Sequence, residues 1–159
     1  MQIQLKRVDQ NPESSDSILI WTWRNDSVTR RMSRNSDVIS WDSHKAWYAK
    51  VVSNSKQVLL IEYIGDAPAC MIRFDSIEKD TAEISFNLNP TLRGKGLGKS
   101  VLMEACNYWF RSLHLEGIYA EVKPENIASI KILEAVGFML QNNREGLLTY
   151  HIKKEHLSI

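Results

Sequence analysis

The segment Arg93-Gly94-Lys95-Gly96-Leu97-Gly98-Lys99-Ser100 carries the residue types and spacing best suited to chemistry. Its three alternating glycines let successive backbone N–H groups turn into one concavity. A helix starting at Gly98 adds unpaired N–H groups and the positive end of its dipole, so the segment reads as a phosphate or pyrophosphate site. Two familiar loops do not fit. A Walker A loop needs Gly five positions before Gly98-Lys99-Ser100, where Arg93 stands. A dinucleotide fingerprint starting at Gly94 needs Gly or Ala at position 99 and finds Lys99.

The loop needs a strand before it and a helix after it, and the pattern supplies both. Ala82, Ile84, Phe86 and Leu88 alternate with Glu83, Ser85 and Asn87, as in a half-buried strand. After the loop, Val101, Leu102, Ala105, Cys106, Trp109 and Leu113 make the stripe of a helix from about Gly98 to His114. Upstream, Ile3 to Val8 reads as a strand, Ser14 to Arg24 as a capped helix, and Val28 to Met32 as a short helical piece. Asp42 or Ser43 caps a further helix, and Val58–Ile64 and Ala69–Asp75 form a hairpin about Gly65-Asp66. Downstream come a strand from Ile118 to Val122, a helix from Ile127 to Val136 stopped by Gly137, and strands over Phe138–Asn143 and Leu147–Lys153.

Composition sets the frame. With 20 Lys and Arg against 19 Asp and Glu, the net charge is +1, which argues against a nucleic-acid binder. A 43% hydrophobic and 25% charged chain of 159 residues reads as one folded domain over 1–159. No run approaches a membrane span, and the alternating start lacks the apolar core of a signal peptide. Cys70 and Cys106 make neither a disulfide framework nor a zinc site. His44, His114, His151 and His156 show no metal spacing and read as solvated or capping residues. The expectation is a cytoplasmic protein with no metal and no membrane contact.

The loop matches Arg-x-x-Gly-x-Gly through Arg93, Gly96 and Gly98, and Asn126-Ile127-Ala128-Ser129-Ile130-Lys131 with Gly137-Phe138 forms a second signature downstream. On these residues the chain resembles the GCN5-related N-acetyltransferases, nearly over its full length. The resemblance implies an α/β (α+β) fold with a mixed, mostly antiparallel sheet of about seven strands, splayed at its centre and flanked by about four helices. It implies acetyl-CoA as co-substrate, held at Leu88 and the strand edge, at Arg93, Gly94, Lys95, Gly96, Leu97, Gly98, Lys99 and Ser100, and at Asn126, Ser129 and Lys131.

Acetyl transfer to an amine needs a base, a donor for the developing oxyanion and, for some leaving groups, an acid. Relatives that use a Glu and a Tyr place the Glu five residues before the Asn, where Glu121 stands, and the Tyr four before Gly-Phe, where Leu133 stands. Glu121 is the leading base candidate, with Glu83 and Ser85 on the preceding strand competing. Tyr119 and Tyr150 are candidate acids that spacing does not separate. Cys106, inside the apolar stripe, speaks against a covalent acetyl-cysteine route.

Trp23-Arg24-Asn25, Arg30-Arg31 and Arg73-Phe74-Asp75 resemble acetyltransferases acting on nucleotide-linked 4-amino sugars. That implies acceptor contacts from Arg24, Asn25, Arg30 and Arg73 to an anionic small-molecule amine, since arginines pair with diphosphates. Trp21, Trp23, Trp41 and Trp47 read as core. A peptide acceptor, as in protein or ribosomal N-terminal acetyltransferases, and a non-catalytic CoA-binding module stay open, as does a homodimer.

Overall fold

The structure, a computed structural model, describes residues 2–113 and 116–157. The expected helix end at His114 and the side chain of Leu113 lie outside the described residues. Strand β1 (Ile3–Arg7) leads into helices α1 (Ser15–Arg24), α2 (Ser27–Met32) and α3 (Trp41–Ser53). Three antiparallel strands follow: β2 (Gln57–Ile64), β3 (Ala67–Glu78) and β4 (Thr81–Leu88). Then come α4 (Gly98–Leu113), β5 (Gly117–Val122), α5 (Ile127–Val136), β6 (Met139–Arg144) and β7 (Leu147–Lys153).

The strands form one sheet in the order β1-β2-β3-β4-β5-β7-β6, antiparallel everywhere except between β4 and β5. Alternation sends side chains to opposite faces, and both faces are covered. On one, Leu60, Ile72, Phe74 and Ile84 pack with Leu102, Cys106, Trp109 and Leu133 of α4 and α5, and Trp109 stacks on Phe74 at 4.2 Å. On the other, Leu59, Ile61 and Met71 meet Ile20 and Trp23 of α1 and Tyr48 and Val51 of α3. Phe110, absent from the expected stripe of α4, is also buried.

Caps fix the helix starts. Ser14 accepts from the Ser17 N–H, as expected. Helix α3 is capped by Ser40, which accepts from the Ser43 N–H at 3.1 Å, rather than by Asp42 or Ser43; it therefore begins earlier than its charge pattern suggests. Strand β3 outruns its expected limits at both ends, ending beyond a register shift between Ser76 and Glu78. Trp109 is fully buried, but of the four tryptophans read as core only Trp23 is buried, while Trp21, Trp41 and Trp47 are half-buried. Trp21 and Trp41 meet edge to face, and the Trp21 indole N–H donates to the Ile39 carbonyl at 2.8 Å.

Candidate active site

The sheet opens at its centre. Strands β4 and β5 pair only through Thr81–Gly117, Ala82–Ile118 and Glu83–Tyr119. Beyond Glu83 they part, and a cleft of about 530 Å³ lies between them. Ile84 to Leu88 form one wall with β3 behind them, so the free edge of β4 turns its backbone polar groups to the opening. Ala120 to Lys123 form the opposite wall, and Asn126, Ser129, Ile132 and Leu133 close the end under α5. Across the mouth lie Arg24, α2, the start of the 33–40 loop and Trp47.

The loop from Arg93 leads to the N-terminus of α4. Gly94 and Gly96 have φ of +74° and +73°, which side chains bearing a Cβ rarely adopt, and a Cβ at either would meet open space. Gly98 serves differently: a Cβ there would lie 2.3 Å from Ile132 Cδ1, so its bareness lets α4 sit against α5. The first bond into the helix runs from the Val101 N–H to the Leu97 carbonyl. Among the described residues the N–H groups of Gly94 to Ser100 have no hydrogen-bond acceptor, the donor set a pyrophosphate needs. The residues present therefore fit acetyl-CoA. Leu88, Arg93, Asn126 and Ser129 line the cleft; Gly94 to Ser100 and Lys131 stand outside its lining. Asn126 also caps α5 by accepting from the Ser129 N–H.

Arg93 has a second employment. Its guanidinium donates to the Asp26 carboxylate and, at 2.9 Å, to Thr29 Oγ1, tying the loop to α2. The Arg93 hydrogen bond, with the Thr29 N–H assisting, holds the Asp26 carboxyl below the usual range.

Glu83 and Glu121 meet where the strands part, and Arg34 joins them. Its guanidinium lies 3.3 Å from Glu83 Oε1 and 2.6 Å from Glu121 Oε2. Burial first, and the Glu121 charge second, push the Glu83 carboxyl up, while Arg34 pulls it back. Ser85 lines the cleft beside them and lies 3.4 Å from an Arg73 nitrogen. Leu133 is buried at the cleft's end, and no tyrosine lines the cleft among the described residues. Tyr119 lies tilted against the His151 ring, with centroids 4.4 Å apart, and Tyr150 is buried in the core.

Of the expected acceptor contacts, Arg24 and Arg73 line the cleft and flank Trp47, at 3.9 and 5.9 Å from its ring centre. Arg73 is paired with Asp75 at 3.1 Å. Arg24 donates to His44 Nδ1 at 3.0 Å, which leaves the proton on Nε2 for Ser17 Oγ, also at 3.0 Å. Contrary to its reading as solvated or capping, His44 is fully buried; burial, then the Arg24 charge, lowers it to about 4. Burial, then the Arg73 charge, lowers Arg24 to about 10.

Asn25 and Arg30 do not line the cleft. Asn25 exchanges two 2.8 Å bonds with the Ile39 backbone, and Arg30 donates to the Asn25 and Ser36 carbonyls. Both hold the loop between α2 and α3, away from the cleft lining where an acceptor contact was expected. Arg34 and Lys123 line the cleft without having been singled out by sequence. Lys123 had a signal, two residues past Glu121 at the end of β5; Arg34, in a polar loop without periodicity, had none.

A smaller cavity of about 230 Å³ adjoins the carboxylates and is lined by Ile77, Glu78, Thr81, Glu83, Tyr119, Glu121 and Thr149. Among the described residues no group of three or more His, Cys, Asp and Glu side chains could hold a metal ion, and no helix is long and apolar enough to cross a membrane.

Comparison with known proteins agrees with this geometry. The family model of the acetyltransferase (GNAT) domain matches residues 10–139. The N-acetyltransferase p20 of Bacillus licheniformis is 28% identical over 138 residues, 87% of this chain and 71% of that protein. The spermidine N-acetyltransferase of Vibrio cholerae, in complex with CoA and spermine, superimposes with a TM-score of 0.84 at 18% identity over 98% of this chain and 97% of that one. The N-acetyltransferase PseH of Campylobacter jejuni, in complex with acetyl coenzyme A, does so with a TM-score of 0.76 at 21% identity over 96% and 99%.

Proposed function

Because this chain belongs to the GNAT family of acetyl-CoA-dependent N-acetyltransferases, we propose that its acceptor is the primary amine of a small anionic molecule, a nucleotide-linked amino sugar. Residues 1–159 are read as one acetyltransferase unit. The observation that carries the acceptor is the pair Arg24 and Arg73, both in the cleft beside Trp47 and on the carboxylate side of the splayed strands. Two guanidinium groups suit a diphosphate, each charge-assisted bond contributing about 1.5–3 kcal/mol.

Acetyl-CoA supplies an acyl group on a thiol leaving group. Glu83 is the base: its carboxyl is less exposed than that of Glu121, at 22% against 30%, and is pushed up. It takes the proton of the acceptor ammonium, directly or through one water, and the freed nitrogen lone pair attacks. The new N–C bond forms as the C–S bond breaks, the electron pair leaves on sulfur, and the nitrogen's second proton passes to solvent or to the departed thiolate, leaving the amide and CoA. Leu133 at the cleft's end offers no proton, and a thiol of ordinary pKa about 8.5 departs as thiolate without one. The loop amides and α4 N-terminus hold the pyrophosphate, and the free edge of β4 holds the arm.

A second acceptor reading has its own observation. Glu78, Glu83 and Glu121 line the smaller cavity, three carboxylates against the single guanidinium of Arg34, which favours a polyamine such as spermidine. One assay separates the two readings: release of CoA thiol from acetyl-CoA with a nucleotide-linked amino sugar, the free amino sugar, spermidine and a peptide amine. Preference for the nucleotide-linked sugar, with the free sugar much poorer, supports the proposal. Faster turnover of spermidine or of the peptide overturns the acceptor.

A further inference from the structure

We propose that Arg34 is a positioning residue for the reaction: reaching from the loop between α2 and α3, it clamps Glu83 and Glu121 from the two splayed strands and keeps Glu83 ready as base. The inference rests on the reading of Glu83 as the base. Three observations support it. The guanidinium lies within ion-pair distance of both carboxylates, which come from strands with no backbone pairing beyond Glu83. The loop that presents it is anchored: Asn25 and Trp21 hold Ile39, and Arg30 holds Ser36. The clamp is also matched to a charge problem. Facing Glu83 are Glu121 and Tyr119 from β5, Asp75, Arg73 and Glu78 from β3, and Arg34 from the loop. Arg73 makes its ion pair with Asp75, and among the described residues Arg34 is the cation within ion-pair distance of both Glu83 and Glu121.

Two carboxylates sharing a site resist ionising together, and one retains its proton to higher pH. Burial and Glu121 already push Glu83 that way, and Arg34 opposes them. Without Arg34, Glu83 holds its proton over more of the pH range in which the amine must be deprotonated. The acceptor's ammonium then meets a carboxylic acid where it needs a carboxylate.

The test reads the carboxylate directly. Carboxyl-carbon NMR titrations of wild type, Arg34→Ala and Arg34→Lys, with Glu83→Gln assigning the resonance, give the Glu83 midpoint without any acceptor. The expected result is an upward shift on the order of one pH unit in Arg34→Ala, at least half reversed in Arg34→Lys. The acid limb of kcat should move by the same amount, with the KM for acetyl-CoA unchanged. An unmoved Glu83 midpoint overturns the role of Arg34. A Glu83 midpoint that moves while the acid limb stays in place overturns the assignment of Glu83 as base.

Discussion

Glu62 stands in the middle of β2, opposite Leu5 of β1 and Cys70 of β3, facing the layer of α4. It is fully buried, and among the described residues neither carboxyl oxygen has a hydrogen-bond partner. Burial, with the Glu104 charge adding to it, raises it from 4.5 to about 9. The folded state therefore keeps a proton that the unfolded state releases above about pH 4.5. Its contribution to stability is complete below that pH and is lost as pH rises through about 9. Each pH unit between those limits costs about 1.4 kcal/mol, so raising pH from 5 to 7 should cost about 3 kcal/mol. In Glu62→Gln that slope disappears. Urea denaturation of both proteins at pH 5 and pH 7 gives the difference directly, and other titrations, His44 included, cancel between them. The stability of Glu62→Gln relative to wild type should rise by about 3 kcal/mol from pH 5 to pH 7. A difference that is the same at both values would refute a protonated Glu62 in the core.

His44 gives the opposite dependence. Its folded value of about 4 lies below 6.5, so its contribution is present above pH 6.5 and is lost as pH falls through about 4. His44→Gln should flatten that acid-side loss in thermal melts between pH 7 and pH 5, and unchanged steepness would speak against a neutral buried imidazole. Gly96→Asp should weaken acetyl-CoA binding at least about 100-fold, because it forces a side chain onto φ +73° and sets a carboxylate against the pyrophosphate. Calorimetry showing wild-type affinity in a folded variant would remove the loop from the cofactor site.

What could be read from sequence was what repeats locally. The alternation of Thr81–Leu88, the glycine spacing after Arg93 and the apolar stripe of α4 each sit within one element, and the structure has all three. The short helical piece at Val28–Met32 became α2, starting at Ser27 behind the Asp26 cap. What stayed hidden depends on partners distant in the chain. Arg34 meets Glu83 and Glu121, 49 and 87 positions away, and no local pattern encodes that meeting. Asn25 and Arg30 have the chemistry of ligand contacts, but nearby backbone carbonyls absorb it. Glu62 occupies a core position of β2, where alternation marks the face and the carboxyl alone carries the anomaly. Residue type told what each side chain can do, and only the fold decides with which partner it does it.

If the Glu83 carboxylate, where β4 and β5 part, drives acetyl transfer, its replacement by an amide should slow the reaction at the proton-transfer step. Steady-state release of CoA thiol by wild type and Glu83→Gln, at saturating acetyl-CoA and equal acceptor, tests it most directly. In Glu83→Gln kcat should be lower by about 10²-fold or more, with the KM for acetyl-CoA unchanged and a smaller loss in Glu121→Gln. Equal turnover by Glu83→Gln and wild type from pH 6 to 9 would contradict Glu83 as the base.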